Sequence, residues 1–158
     1  MKKLSLLIAA ALVLTGCTQT ADLTIENYWV KSSEMSVEGG MTAVFGKLTN
    51  NTDKDITLVG GSSAAANLVE IHEMAMIDGE MKMQMIEGGL VIPAGQSVVL
   101  EPGGNHIMLM DLTSAIEAGS EISVTLDLEG AEDITLEGVV AKPSEGGDEE
   151  YHNEDMNH

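Results

Sequence analysis

The sequence predicts an all-β protein, an antiparallel sandwich or barrel. Three observations carry that expectation. From Leu23 onward the chain reads as short apolar-alternating runs of strand length. Turn residues punctuate those runs at Asn50-Asn51-Thr52-Asp53, Asp78-Gly79, Pro93-Ala94-Gly95 and Pro102-Gly103-Gly104. No segment sustains a helical period; one helical turn is expected near Ser114 to Ala118.

The chain divides into four parts. Residues 1–16 read as a secretory signal: Lys2 and Lys3 form its basic start, and Leu4 to Leu14 an apolar stretch too short to span a bilayer as a helix. It ends in Leu14-Thr15-Gly16-Cys17, which resembles the bacterial lipobox and implies cleavage before Cys17 and lipid attachment to it. Residues 17–22 are then the lipidated cysteine and a tether. Residues 23–141 form the β domain. Residues 142–158 are acidic, lack Val, Ile, Leu and Phe, and read as a disordered tail, because they cannot bury enough apolar area to offset the entropy of ordering.

Within the domain the expected strands are, in order, DLTIENYWV, GMTAVFGKLTN, DITLVGG, NLVEIHEMAMI, EMKMQMI, SVVLEP, NHIMLMDL, EISVTLDLEG and DITLEGVVA. Val, Ile, Leu and Thr fill most of them, as a pleated, half-buried surface favours. Repeated short strands separated by turns suit a two-layer all-β architecture.

Charge and cysteine usage exclude several functions. The formal net charge is −19, and loss of Lys2 and Lys3 with the signal takes it to −21. There is no arginine, so nucleic acid is a poor partner, since phosphate binding depends on Lys and Arg. Cys17 is the only cysteine. Once it carries lipid, no disulfide and no thiolate nucleophile or ligand remains. No organised acid, base and nucleophile set stands out, so an enzyme is not expected.

The unusual feature is VEIHEMAMIDGEMKMQMIEGG, Val69 to Gly89. Asp78-Gly79 suits a two-residue type I′ hairpin turn, which needs positive φ at both central positions. Counting outward, Met76 faces Met81, Met74 faces Met83, and His72 faces Met85. Alternation then sets all six side chains on one face of the hairpin. The other face carries Ile71, Glu73, Ala75, Ile77, Glu80, Lys82, Gln84 and Ile86. Methionine is a flexible core filler, and that is one reading of the pattern. NHIMLMDL argues for another. There Ile107 and Leu109 share the natural core face, while His106, Met108 and Met110 share the opposite one. His72-x-Met74 and His106-x-Met108 each set two donors about 6.6 Å apart along a strand, on the same side.

Imidazole and thioether without thiolate make a soft, neutral donor set. Soft sulfur selects Cu(I) over Mg²⁺, Ca²⁺ or Mn²⁺, and Zn²⁺ prefers Cys, His and carboxylate. The single charge of Cu(I) is also cheaper to bury than that of a dication.

At these residues the chain resembles the extracytoplasmic copper chaperones of the PCuAC type, whose motif is H(M)-x10-M-x21-H-x-M. His72 is followed by ten residues and then Met83, and His106-Ile107-Met108 supplies H-x-M. The gap from Met83 to His106 is 22 residues, one more than the pattern, with IEGGLVIPAG as the expected loop that absorbs it. The resemblance covers roughly Leu23 to Val140. It implies a cupredoxin-like or immunoglobulin-like antiparallel β-sandwich that holds Cu(I) through His72, Met83, His106 and Met108. Met74 and Met85 are possible additional ligands, and Met85 is the alternative to Met83. It further implies a copper-receiving partner: the CuA or CuB centre of a cytochrome oxidase subunit, or another copper chaperone. The lipobox adds an extracytoplasmic location, lipid-anchored to a bacterial membrane and facing the periplasm or the cell surface. In the tail, His152, Met156 and His158 stand among acids; the imidazoles and acids suit a Cu(II) site, and the alternative is a solvated tail whose histidines are incidental.

Two other classes compete. A blue-copper electron carrier needs a Cys thiolate beside two His, and Cys17 lies outside the domain. A structural or adhesive lipoprotein would use the same His and Met residues for packing alone.

Overall fold

A computed structural model describes residues 21–143. The alternating runs form ten strands: β1 (Leu23–Ser32), β2 (Met41–Asn50), β3 (Ile56–Ser62), β4 (Ala66–Ile77), β5 (Glu80–Met85), β6 (Leu90–Ile92), β7 (Ser97–Leu100), β8 (His106–Leu112), β9 (Glu121–Glu129) and β10 (Ile134–Pro143). They hydrogen-bond in the order β5-β4-β8-β2-β1-β10-β9-β3-β6, with β7 added to β2. Every pairing is antiparallel except β1 with β10. That parallel pair, Val30 to Ser32 against Ala141 to Pro143, joins the two layers and carries β10 to Pro143. The architecture is the expected all-β sandwich of cupredoxin-like or immunoglobulin-like type.

One layer contributes Val44, Leu48, Ile71, Ile107 and Leu109 to the main core, and the other contributes Ile56, Leu58, Val124, Leu126 and Val139. Each aliphatic side chain of this size is worth about 1.5–3 kcal/mol when removed from water. Strands β2 and β8 are buried on both faces. Their second face carries a smaller cluster of Met41, Ala43, Phe45 and Met108, against which Trp29, Met83 and Met110 pack. The functional residues lie on this second face.

A bulge in β1 helps to build it. The β1–β2 register shifts between Glu26 and Trp29, at Asn27, whose φ is 55°. Asparagine tolerates this left-handed conformation better than most residues. Before the bulge Leu23 and Ile25 face the main core; after it Tyr28 and Val30 do. The extra residue therefore turns Trp29 to the opposite face, opposite Phe45 in the ladder.

Two sequence expectations change. The stretch Ser114 to Ala118 is irregular, with a bend at Ser114 and a turn at Ala118, not a helical turn. Its Ile116 is buried in the core and bonds its N–H to the Ser36 carbonyl, which holds the segment in an irregular path. The loop IEGGLVIPAG contains β6, because Leu90 to Ile92 pair with Ile56 to Leu58 and bury Ile92. Gly88 (φ 81°) and Gly89 (φ 88°) make the turn before it, and a Cβ on Gly89 would strike the Leu58 carbonyl oxygen at 2.5 Å.

Candidate metal centre

The hairpin folds in the register that its turn dictates. Asp78 (φ 53°) and Gly79 (φ 87°) take the two positive-φ positions, and the rungs are His72↔Met85, Met74↔Met83 and Met76↔Met81. The non-local pairing is the decisive addition. Strand β8 lies along the other side of β4, with His72 opposite His106 and Glu70 opposite Met108. Two histidines more than thirty positions apart thus become cross-strand neighbours, with ring centroids 5.9 Å apart.

Both rings are buried, His72 at 6% and His106 at 3% exposure, and Met108 is fully buried beside them. His106 Nδ1 lies 3.0 Å from the Gly104 carbonyl oxygen. A carbonyl can only accept, so Nδ1 donates to it, and in the neutral tautomer that leaves Nε2 as the lone-pair nitrogen. That Nε2 faces the Met83 Sδ at 3.3 Å. In the neutral tautomer that donates through Nδ1, both atoms offer lone pairs, and a cation held between them would make the contact favourable. An ion held between them would draw on one nitrogen and one sulfur donor.

His72 is held the other way round. Its Nε2 lies 2.8 Å from Glu70 Oε2, and its Nδ1 is buried with no hydrogen-bond partner among the described residues. A buried, unpartnered ring nitrogen is costly. It suits a ligand whose other nitrogen is gripped by a carboxylate, the usual arrangement around metal-bound histidine. Glu70 was not among the residues singled out from the sequence. The available signal was its position two residues before His72, on the same strand face.

Aromatic rings close one side. Phe45 stands 6.3 Å from the His106 ring, centroid to centroid, and Trp29 stands 4.8 Å from Phe45. On the other side the site borders the edge strand β5, where Met83 is half-buried and Met85 is 50% exposed. Met74 is half-buried opposite Met83. The expected residues His72, Met83, His106 and Met108 are therefore brought to one face, with Met74 beside them and Met85 turned further to solvent. Cys17, His152, Met156 and His158 lie outside the described residues. Among the described residues no group of three or more His, Cys, Asp or Glu is placed to hold a metal, so any centre on this face depends on its thioethers.

A β-sandwich of this topology, in which two histidines and a methionine converge beside an edge hairpin, has the fold of PCuAC domains. The fold matches the copper-bound PCuAC domain from PmoF2 with a TM-score of 0.61 and 23% identity, covering 78% of this chain and 95% of that one. It also matches apo-DR1885 from Deinococcus radiodurans, with a TM-score of 0.57 and 24% identity over 94% of this chain and 97% of that one. The "Putative lipoprotein Lxx21020" of Leifsonia xyli subsp. xyli is 39% identical over 132 residues, which is 75% of this chain and 77% of the relative. Residues 23–140 match the family described as "Putative lipoprotein LpqE-like". The chain belongs to this LpqE-like family and has the fold of the PCuAC domains.

Proposed function

We propose that this protein is an extracytoplasmic copper chaperone, tethered to a bacterial membrane by lipid on Cys17, that carries Cu(I) as cargo. His72, Met83, His106 and Met108 are the proposed ligands. The observation that carries the reading is the approach of His106 Nε2 and Met83 Sδ to 3.3 Å, next to the buried, unpartnered Nδ1 of His72. With each ring donating through its other nitrogen, to Glu70 for His72 and to the Gly104 carbonyl for His106, three neighbouring atoms offer lone pairs. Imidazole and thioether are the donors that favour Cu(I) among biological metals. The copper-bound state of the PmoF2 domain and the solution structure of CuI-DR1885, which has 25% identity and a TM-score of 0.52 over 75% of this chain and 77% of that one, support copper as the cargo.

The ligand roles follow from placement. His106 is fixed by the Gly104 carbonyl and His72 by Glu70, so each presents one defined nitrogen. Met108, buried in the cluster with Phe45 and Met41, supplies a second thioether that carries no proton to displace. Glu70 adds a negative charge beside the cation, and Trp29 and Phe45 keep water from one side. Met83 sits on the edge strand, where an acceptor's ligand can replace it. Delivery then proceeds by ligand exchange without a change of oxidation state. The proposed acceptor is a cytochrome oxidase copper centre or another copper carrier. In the tail, His152, Met156 and His158 are assigned a separate role in Cu(II) binding.

Anaerobic titration with Cu(I), followed by X-ray absorption, tests the reading. One equivalent bound with mixed nitrogen and sulfur scatterers is the expected result. Oxygen and nitrogen scatterers alone, or no binding tighter than micromolar, would reject it.

A further inference from the structure

The hairpin continues past the proposed centre into solvent. Met76 and Met81, directly paired across the ladder, are 65% and 52% exposed. Strand β5 pairs only with β4 and forms the edge of the sheet. Core filling therefore does not account for this rung. The opposite face of the same hairpin is polar and self-satisfied: Glu73 accepts from Gln84, and Glu80 lies 3.9 Å from Lys82. Among the described residues the hairpin thus presents a thioether face that is more than half exposed at its tip and ends inward at Met83, which touches His106.

The spacing suits a second ligand set. Directly opposed residues on an antiparallel pair have Cβ atoms about 4.5–5.5 Å apart, and the next rung on the same face lies about 7 Å further along. Long, unbranched methionine side chains on two adjacent rungs can bring their sulfurs to one ion. Met74 is half-buried on the inner rung, beside Met76 and diagonal to Met81. Three thioethers are soft, neutral donors whose natural ligand is a soft monovalent cation. Leucine would serve an apolar contact equally well and resist oxidation, whereas only methionine offers sulfur.

We propose that Met74, Met76 and Met81 form a second, all-thioether Cu(I) site at the hairpin tip. It captures the ion from solution or from a donor and hands it through Met83 to the histidine centre. The proposal rests on the Cu(I) chaperone reading and adds its entry route. The transfer to Met83 exchanges one thioether for another, the onward transfer exchanges thioethers for the His72 and His106 imidazoles, and the copper stays Cu(I) throughout.

The test is an anaerobic Cu(I) titration of the full-length protein carrying ¹³C-labelled methionine methyl groups, read by NMR. The methyls of Met83 and Met108 should shift with the first equivalent, and those of Met74, Met76 and Met81 with a later one. In the double variant Met76→Leu/Met81→Leu, which keeps the apolar surface, the first event should persist. The Met74 shift should be lost, and loading from a Cu(I)-chelator complex should slow. If Met83 and Met108 respond but Met76 and Met81 stay unshifted at excess copper, the second site is rejected and the chaperone reading stands. If the double variant loads as fast as wild type, the relay is rejected and the face serves apolar contact. If no methyl of the histidine centre responds, the chaperone reading itself fails.

Discussion

His106 Nε2 and Met83 Sδ stand 3.3 Å apart although strand β4 lies between their strands. The contact reaches diagonally across β4, so the hairpin face must curl towards β8. It also separates Met83 from Met85, whose side chain is half-exposed. Replacing Met83 with Leu should therefore weaken Cu(I) binding by more than the roughly 10–100-fold typical of losing an outer-shell partner. Met85→Leu should change it far less. Competition against a Cu(I) chelator measures both, and equal losses would make Met85 an equal ligand.

Glu70 should matter although it offers copper no sulfur or imidazole. By accepting the Nε2 proton of His72 it leaves Nδ1 as the donor. Glu70→Ala should weaken Cu(I) binding by about 10–100-fold, and Glu70→Gln, whose amide oxygen can still accept, should recover much of it. Nitrogen NMR of the metal-free protein should find the His72 proton on Nε2 and the His106 proton on Nδ1. The same tautomer in both rings would contradict this geometry.

Cargo should stabilise the fold. The proposed ligands come from β4, β5 and β8, and only the native sheet brings them together. An ion that binds the native state alone adds RT ln(1 + [L]/Kd), about 4 kcal/mol at a thousandfold excess over Kd. Thermal unfolding with and without saturating Cu(I) should show a clear rise in Tm. An unchanged Tm would mean that copper binds the unfolded chain as well.

Membrane attachment should depend on a single atom. Among the described residues no helix is long and apolar enough to cross a bilayer, and the proposed anchor is lipid on the Cys17 sulfur. Cys17→Ser should release the protein from the membrane fraction and leave Cu(I) affinity of the domain unchanged. Retention of the serine variant in washed membranes would point to another mode of attachment.

Much of the centre was legible along the chain because β-strands have a period of two. Once Asp78-Gly79 is taken as the turn, each methionine's rung and face follow from backbone geometry, and the structure reproduces all three rungs. The split of NHIMLMDL into an aliphatic face and a His/Met face was readable for the same reason. Met108 was also placed correctly on that face, where it packs with Met41 and Phe45.

Other features required the whole sheet. The pairing of His72 with His106 joins strands remote in sequence, and burial of Ile71 and Ile107 on the reverse face sets its register. The turn of Trp29 onto the site depends on one bulged residue, Asn27, whose effect appears only when β1 pairs with β2. Which ring nitrogen each histidine presents depends on Glu70 and on the Gly104 carbonyl. The sequence by itself determined which side chains share a face, because alternation and turn geometry are local. Only the tertiary structure decided which faces meet and which atoms point at one another, because those follow from non-local pairing and burial across the sandwich.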